Sequence, residues 1–264
     1  MTRLVLLFII FFNVALSEDN ITTGIIKPIY EAKISVSVDG VVSKINFKEG
    51  DFVRKNNVIM KFDDKLQELE TKRRKIILDD VTKLNSSKEN LEILEKALEI
   101  KEEVYKKTKS ISLNELNGLR MQYIGSKSEY ESLKTAKQKE EVEYLIALNL
   151  LDYYKVKSPV DGIITKINPK LGEWVQAGDE IVHIVNTEIC YVEIDLEIQQ
   201  LKKLKLDSSV VVEVSENEKV IQKEGKVVFI SAVADSSSGL IRAKINFDNK
   251  TNKVTPGLHA KIIF

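Results

Sequence analysis

Residues 38–63, VDGVVSKINFKEGDFVRKNNVIMKFD, and residues 160–185, VDGIITKINPKLGEWVQAGDEIVHIV, are one motif written twice. They align without a gap at an offset of 122 residues, and ten of the 26 aligned positions are identical. The identities are Val38/Val160, Asp39/Asp161, Gly40/Gly162, Lys44/Lys166, Ile45/Ile167, Asn46/Asn168, Lys48/Lys170, Gly50/Gly172, Val53/Val175 and Ile59/Ile181. Such a block marks an internal repeat. β-Branched residues at 41, 42 and 45, then at 53, 58 and 59, follow a strand pattern broken by glycine turns. Asp39-Gly40 and Asp161-Gly162 read as turn dipeptides in which glycine supplies a positive φ, and Gly50-Asp51 and Gly172-Glu173 as a second turn in each copy. Half a small β-sandwich cannot bury its own apolar face, so the copies are expected to pack together. The segment between them must then leave and return at nearly the same place.

That segment, residues 64–153, holds no proline and only two glycines, and is dense in Leu, Glu, Lys and Ile. Ile77, Leu84, Leu91, Leu98 and Tyr105 recur every seven residues, the period of a coiled-coil seam. Leu116, Tyr123, Tyr130, Tyr144 and Leu151 keep the period downstream, interrupted by Lys137. Leu119, Leu133 and Ala147 fill the second seam row, broken by Ser126 and Glu140. Two helices of roughly 40 residues are expected, each about 60 Å long. Ser112-Leu113-Asn114-Glu115 reads as a capping box, with Ile111 and Leu116 as its hydrophobic staple, so the second helix should begin at Leu113 and the tip span 107–112. Asp64 and Gln67 open the first helix in a similar way. The thin seam predicts that neighbouring hairpins supply further contacts.

After Asn186 the pattern is strand: 191–196, 210–214, 226–234, 241–247 and 258–264, with an amphipathic helix over 198–206 that turns Leu201 and Leu204 inward. Pro256-Gly257 turns the chain into the last strand. Five or six short strands with one small helix suit a compact β-barrel. The fold class predicted is therefore α+β and elongated: a split lipoyl-like β-sandwich, an inserted antiparallel coiled-coil hairpin, and a small β-barrel. The boundaries read as 18–63 for the first half-sandwich, 64–153 for the hairpin, 154–186 for the second half-sandwich and 187–264 for the barrel.

The first 17 residues read as a targeting segment: Arg3, an apolar run over 4–16, and the small-x-small site Ala15-Leu16-Ser17. A run of thirteen residues reaches about 20 Å as a helix against a hydrocarbon core of about 30 Å, so cleavage is expected, with an uncleaved anchor as the alternative. No cysteine follows the run, which excludes a bacterial lipid anchor. Cys190 is the single cysteine and is expected to be a buried strand residue. Lys plus Arg and Asp plus Glu balance at 40 each, so no net field recruits nucleic acid or a lipid surface.

The order of these parts resembles the membrane fusion proteins, or periplasmic adaptors (HlyD-like), of tripartite efflux and secretion systems. The residues that carry the resemblance are Gly40-Val41-Val42 to Asp51-Phe52-Val53, Ser158-Pro159-Val160-Asp161-Gly162 to Gly178-Asp179, the hairpin between them, and Pro256-Gly257-Leu258-His259-Ala260. It spans residues 32–264. The resemblance implies a lipoyl-like domain, a hairpin tip that meets an outer-membrane channel protein, a barrel that faces an inner-membrane transporter, and a homo-oligomer of six copies in the periplasm. It places partner contact at Lys109, Ile111, Ser112, Glu115 and Leu116. The arginine that the family often carries upstream of the tip is not evident; Lys101, Lys106 and Lys109 are the nearest basic residues. The chain stops without the membrane-proximal domain of many relatives, and so reads as a compact member. A proton-driven transporter of the resistance-nodulation-division type is the expected partner, with an ATP-driven exporter, or a stand-alone periplasmic coiled-coil scaffold or carrier protein, as alternatives.

Enzymatic readings find little to stand on. A biotin or lipoate carrier needs its lysine on an exposed turn, but Met60-Lys61 aligns with Val182-His183 inside a strand. His183, His259, Met60, Met121 and Cys190 share no metal-ligand spacing. Asp63-Asp64 and Glu102-Glu103 read as helix start and solvated face. No catalytic grouping, cofactor or metal is expected. Gly40, Gly50, Gly162, Gly172 and Gly257 are read as structural turns.

Overall fold

The structure is a computed structural model that describes residues 21–216, 219–251 and 253–264; the targeting segment at 1–17 lies outside the described residues. In chain order the elements are β1 (Ile21–Ser35), β2 (Gly40–Ile45), β3 (Phe52–Val53), β4 (Val58–Phe62), α1 (Lys65–Asp79), α2 (Thr82–Thr108), α3 (Leu113–Tyr153) and β5 (Lys155–Lys157). Then follow β6 (Gly162–Ile167), β7 (Trp174–Val175), β8 (Glu180–Leu196), α4 (Ile198–Leu201), β9 (Ser209–Glu216), β10 (Lys219–Ile230), β11 (Ile241–Asp248) and β12 (His259–Ile263).

The two repeats form one sandwich by exchanging strands. β2 of the first copy pairs with β7 of the second, and β3 of the first with β6 of the second. The exchange is reciprocal down to single bonds. Asp161 Oδ1 accepts the Lys55 amide at 2.6 Å, and its repeat mate Asp39 accepts the Ala177 amide at 2.7 Å. Asn46 donates its side-chain amide to the Val58 carbonyl, and Asn168 to the Glu180 carbonyl. Identical residues are thus spent on identical tasks in an approximate two-fold unit. Its core of Val42, Val53, Ile59, Met60, Phe62, Ile164, Val175, Ile181, Val182 and Ile184 is almost wholly removed from solvent.

The glycine readings divide. Gly50, Gly172 and Gly257 have φ of 90°, 85° and 98°, the turns expected of them. Gly40 and Gly162 do not, and the turn reading is corrected: both begin strands, and they are glycines because of close approach. A Cβ on Gly162 would lie 2.5 Å from the Val185 carbonyl oxygen, and one on Gly40 would lie 3.1 Å from Phe62 Cβ. The second left-handed turn of each repeat, at Asn56 (φ 68°) and Gly178 (φ 97°), escaped the sequence reading. Asn and Gly share no identity at that position but share tolerance of that conformation.

The barrel has six strands in the order β1-β12-β9-β10-β11-β8, closed by β1 pairing with β8. Every second residue of each strand faces a core built on Val192, Ile194, Val212, Val214, Val227, Ala243, Ile245 and Ile262. β1 corrects the sequence assignment of 18–63 to the sandwich alone. Its residues Ile21–Ile25 pair with β12 and close the barrel, while Tyr30–Ser35 run along β8 in the sandwich. The register shifts between Pro28 and Tyr30, where proline lacks the amide that a regular ladder needs. β8 makes the same crossing, so two strands, irregular in their pairing at Pro28, tie the domains. The expected helix over 198–206 shortens to α4, closed by a Glu197/Gln200 capping box, with Leu204 still buried beyond it.

Candidate functional site

α3 leaves from a hairpin root that is a single hydrogen-bonded step: the Phe62 amide donates to the Tyr154 carbonyl at 2.9 Å. From there α3 climbs 41 residues, about 60 Å, to the tip. Its inward row follows the heptads read from sequence. Leu116, Ser126 and Ala147 are buried, and Leu119, Tyr123, Tyr130, Leu133, Lys137, Glu140, Tyr144 and Leu151 are half-buried. On the partner arm Leu84, Ser87, Leu91, Leu94 and Leu98 face them. The seam carries a polar layer midway, where Asn90 donates to Ser126 Oγ at 3.3 Å and Ser87 Oγ is buried without a hydrogen-bond partner.

The first arm is not one helix, which corrects the expectation of two continuous rods. It breaks at Asp80, whose ψ of 96° is extended, into α1 and α2. Asp80 Oδ1 accepts the Thr82 amide at 3.1 Å across the break. Asp64 makes no capping bond either; Asp63 takes the Lys65 amide, and Gln67 reaches across to the Ala147 carbonyl at 3.1 Å.

At the tip the predicted cap is half made. Ser112 Oγ accepts the Glu115 amide at 3.1 Å, as an N-cap should. Glu115 does not close the box: its carboxylate instead meets Lys101 Nζ of the other arm at 2.5 Å. One turn further down, Arg120 donates to Glu102 Oε1 through two nitrogens at 2.8 and 3.0 Å. Sequence reading passed over both cross-arm pairs, because partners on opposite arms of a hairpin show no short sequence spacing. Lys109 ends α2 in the left-handed conformation, φ 50°, with its amide on the Tyr105 carbonyl. The exposed end is therefore Lys106, Lys107, Lys109, Ser110, Ser112 and Leu113, a basic and hydroxyl-bearing knob held rigid by two ion pairs. Ile111 is half-buried, and Leu116 is turned inward at 2% exposure, beneath the knob.

Elsewhere chemistry is sparse. Met60 is buried and Lys61 lies within β4, flanked by β2 and β5. Burial pushes the Cys190 thiol up, opposed by the Asn249 amide, which donates to its Sγ at 3.7 Å as well as to the Thr187 and Val254 carbonyls. Among the described residues no three His, Cys, Asp or Glu side chains converge as a metal site would need, and no helix is long and apolar enough to cross a membrane.

Comparison with known proteins places this architecture. The domain family described as RND MFP, barrel-sandwich hybrid domain, matches residues 30–187. The multidrug resistance protein MdtA of Xenorhabdus bovienii is 22% identical over 247 residues, covering 90% of this chain and 56% of the relative. MdtE of Escherichia coli is 24% identical over 253 residues, covering 88% and 60%. An uncharacterized protein of Haemophilus influenzae is 21% identical, again over 56% of its length. The chain thus spans little more than half the length of these relatives. Among solved structures, MacA from Actinobacillus actinomycetemcomitans superposes with a TM-score of 0.75 at 20% identity, covering 93% of this chain and 78% of that one. A membrane fusion protein from Streptococcus pneumoniae superposes at 0.61 with 15% identity, covering 93% and 98%.

Proposed function

The chain belongs to the membrane fusion protein family, and from that premise we propose that it is a periplasmic adaptor of an efflux system. In this reading it joins an inner-membrane transporter at the barrel side to an outer-membrane channel protein at the hairpin tip. The observation that carries the proposal is mechanical. A hairpin about 60 Å long stands on a sandwich whose strands β1 and β8 run on into the barrel, with one irregularity at Pro28 in the ladder between them. A displacement at the barrel is therefore transmitted to the root of the hairpin through hydrogen-bonded backbone, not through a linker. A transporter of the resistance-nodulation-division type is the proposed partner, in keeping with the family description that matches residues 30–187.

Assembly as a homo-oligomer, a hexameric ring, is part of the same proposal. Leu69 and Ile76 on α1, Ile93 and Ile100 on α2, and Ile146 and Tyr153 on α3 are exposed aliphatic and aromatic residues at seven-residue spacing, outside the hairpin's own seam. A two-helix hairpin in water has no use for a second apolar row, whereas packed neighbours do.

Docking at the tip is assigned to Lys109, Ile111, Ser112 and Glu115, with Leu116 supporting them from below. The test is Ser112→Arg in the full-length protein. Export should fall and crosslinking to the channel protein should be lost, while the melting temperature drops by no more than the lost cap implies, about 1 kcal/mol of local stability. Normal export with normal crosslinking would remove the tip from the docking site.

A further inference from the structure

The break at Asp80 leaves α1 one residue out of step with α2. Traced back from Leu84 and Ser87 at seven-residue intervals, the seam of α2 would continue through Ile77 and Glu70 and through Arg73 and Leu66. The structure instead sets Gln67, Thr71 and Arg74 against α3, with Leu78 and Glu70 half-buried and Ile77 at the edge of the seam. Each inward residue of α1 is the one that follows the residue expected from α2. A continuous helix would therefore present a different face of α1, rotated by about 100°, the angle of one residue.

Four features indicate that the sequence accommodates both faces. The exchange swaps like for like at two positions, Arg73 for Arg74 and Ile77 for Leu78, and both arginines already bind Glu70 at 2.8 Å. Leu66, at 84% exposure, would enter the seam, and Gln67 would leave it. α1 is a 15-residue rod between two joints: Asp64 makes no side-chain cap, and Asp80 caps the Thr82 amide of α2 and not α1. Beside the break lies a half-open groove of about 330 Å³ between Ile77 and Leu84 of the first arm and Leu133 and Ala136 of α3, with Asp80 and Lys137 at its rim, which leaves room to repack.

Lys137 then has a role that its place in an apolar seam otherwise lacks. Its ammonium donates to the Ile77 carbonyl at 2.8 Å and contacts Glu140 at 2.5 Å. In a continuous helix that carbonyl would accept the amide of Val81, four residues on. With Asp80 extended that amide is turned away, and the lysine ammonium occupies the carbonyl in its place.

We propose that α1 is a two-register element: a latched form, in which Lys137 holds the break open, and a straight form, in which α1 joins α2 and exchanges Gln67 for Leu66 against α3. The rotation changes the line of the hairpin without unfolding it, and it stands whatever the tip docks to. A disulfide trap distinguishes the registers. Gln67 now lies on Ala147, so Q67C/A147C should close under mild oxidant in the otherwise unaltered chain, while L66C/A147C should close only through the straight form. Lys137→Met should raise the L66C/A147C yield severalfold, and Lys137→Arg, which keeps a donor, should not. Val81→Pro removes the amide that the straight form needs. It should abolish L66C/A147C closure and leave Q67C/A147C closure intact, which also shows that the variant folds. Absence of L66C/A147C closure in every background, while Q67C/A147C closes, overturns the proposal. So does a yield indifferent to Lys137 and Val81, or failure of Q67C/A147C to close.

Discussion

Gly162 shows how one residue can be read correctly for type and wrongly for cause. Asp-Gly suggests a turn, yet the aspartate is there to accept an amide from the other repeat, and the glycine to let β6 lie flat on β8. Gly162→Ala should destabilise the sandwich by about 1–3 kcal/mol through overpacking against the Val185 carbonyl. Gly40→Ala should cost less, since its nearest neighbour is a side-chain atom at 3.1 Å. Paired thermal melts check the order; equal melting temperatures would refute the close-approach account. Glu70 makes a second case at this scale. Hydrogen bonds from Arg73, then Arg74, hold its carboxyl at about 2 against an ordinary value of 4.5. Because the folded value is the lower one, the stabilisation is fully present above pH 4.5 and is lost as pH falls toward 2. In Glu70→Gln the hairpin should lose that part of its acid sensitivity, measured by circular dichroism across the same window.

At the scale of elements, α3 is long and weak by composition, and its tertiary partner makes up the difference. Gly118 and Gly125 sit on its outer surface with open space where a Cβ would go. Each Gly→Ala change should therefore stabilise the helix by about 1 kcal/mol, visible as slower amide exchange over 116–130. No gain would mean that the returning arm is limited by its cross-arm pairs and not by backbone entropy. The heptads of α3 were legible because a seam repeats every seven residues whatever the partner is. The break in the first arm was not: Ile77 and Leu78 are adjacent and equally apolar, so periodicity alone cannot say which faces inward. The extended backbone of Asp80, with its carboxylate on the Thr82 amide, shows where the rod ends.

For the whole molecule, the sandwich should not need the hairpin. Phe62 and Tyr154 are already joined across its root, so replacing residues 66–150 by a short Gly/Ser turn closes a gap that hardly exists. The shortened protein should keep its strand signal and dispersed amide spectrum and lose export; a collapsed spectrum would mean that the hairpin is part of the fold's stability. Barrel and sandwich, by contrast, share β1 and β8, and should melt in one transition.

The sequence by itself determined the repeat, the helical insert, the strand-rich end and the position of the tip cap, because each rests on local periodicity or on turn chemistry within a few residues. Tertiary structure decided everything that depends on residues far apart: that residues 21–28 close a barrel whose other strands lie some 160 or more positions later, that Asp39 and Asp161 cross-brace the repeats, and that Lys101 and Arg120 staple the tip. A strand shows its faces in its own alternation but not its neighbours, since any antiparallel edge offers the same donors and acceptors. Which edges meet is settled only when every buried backbone amide and carbonyl must find a partner at once.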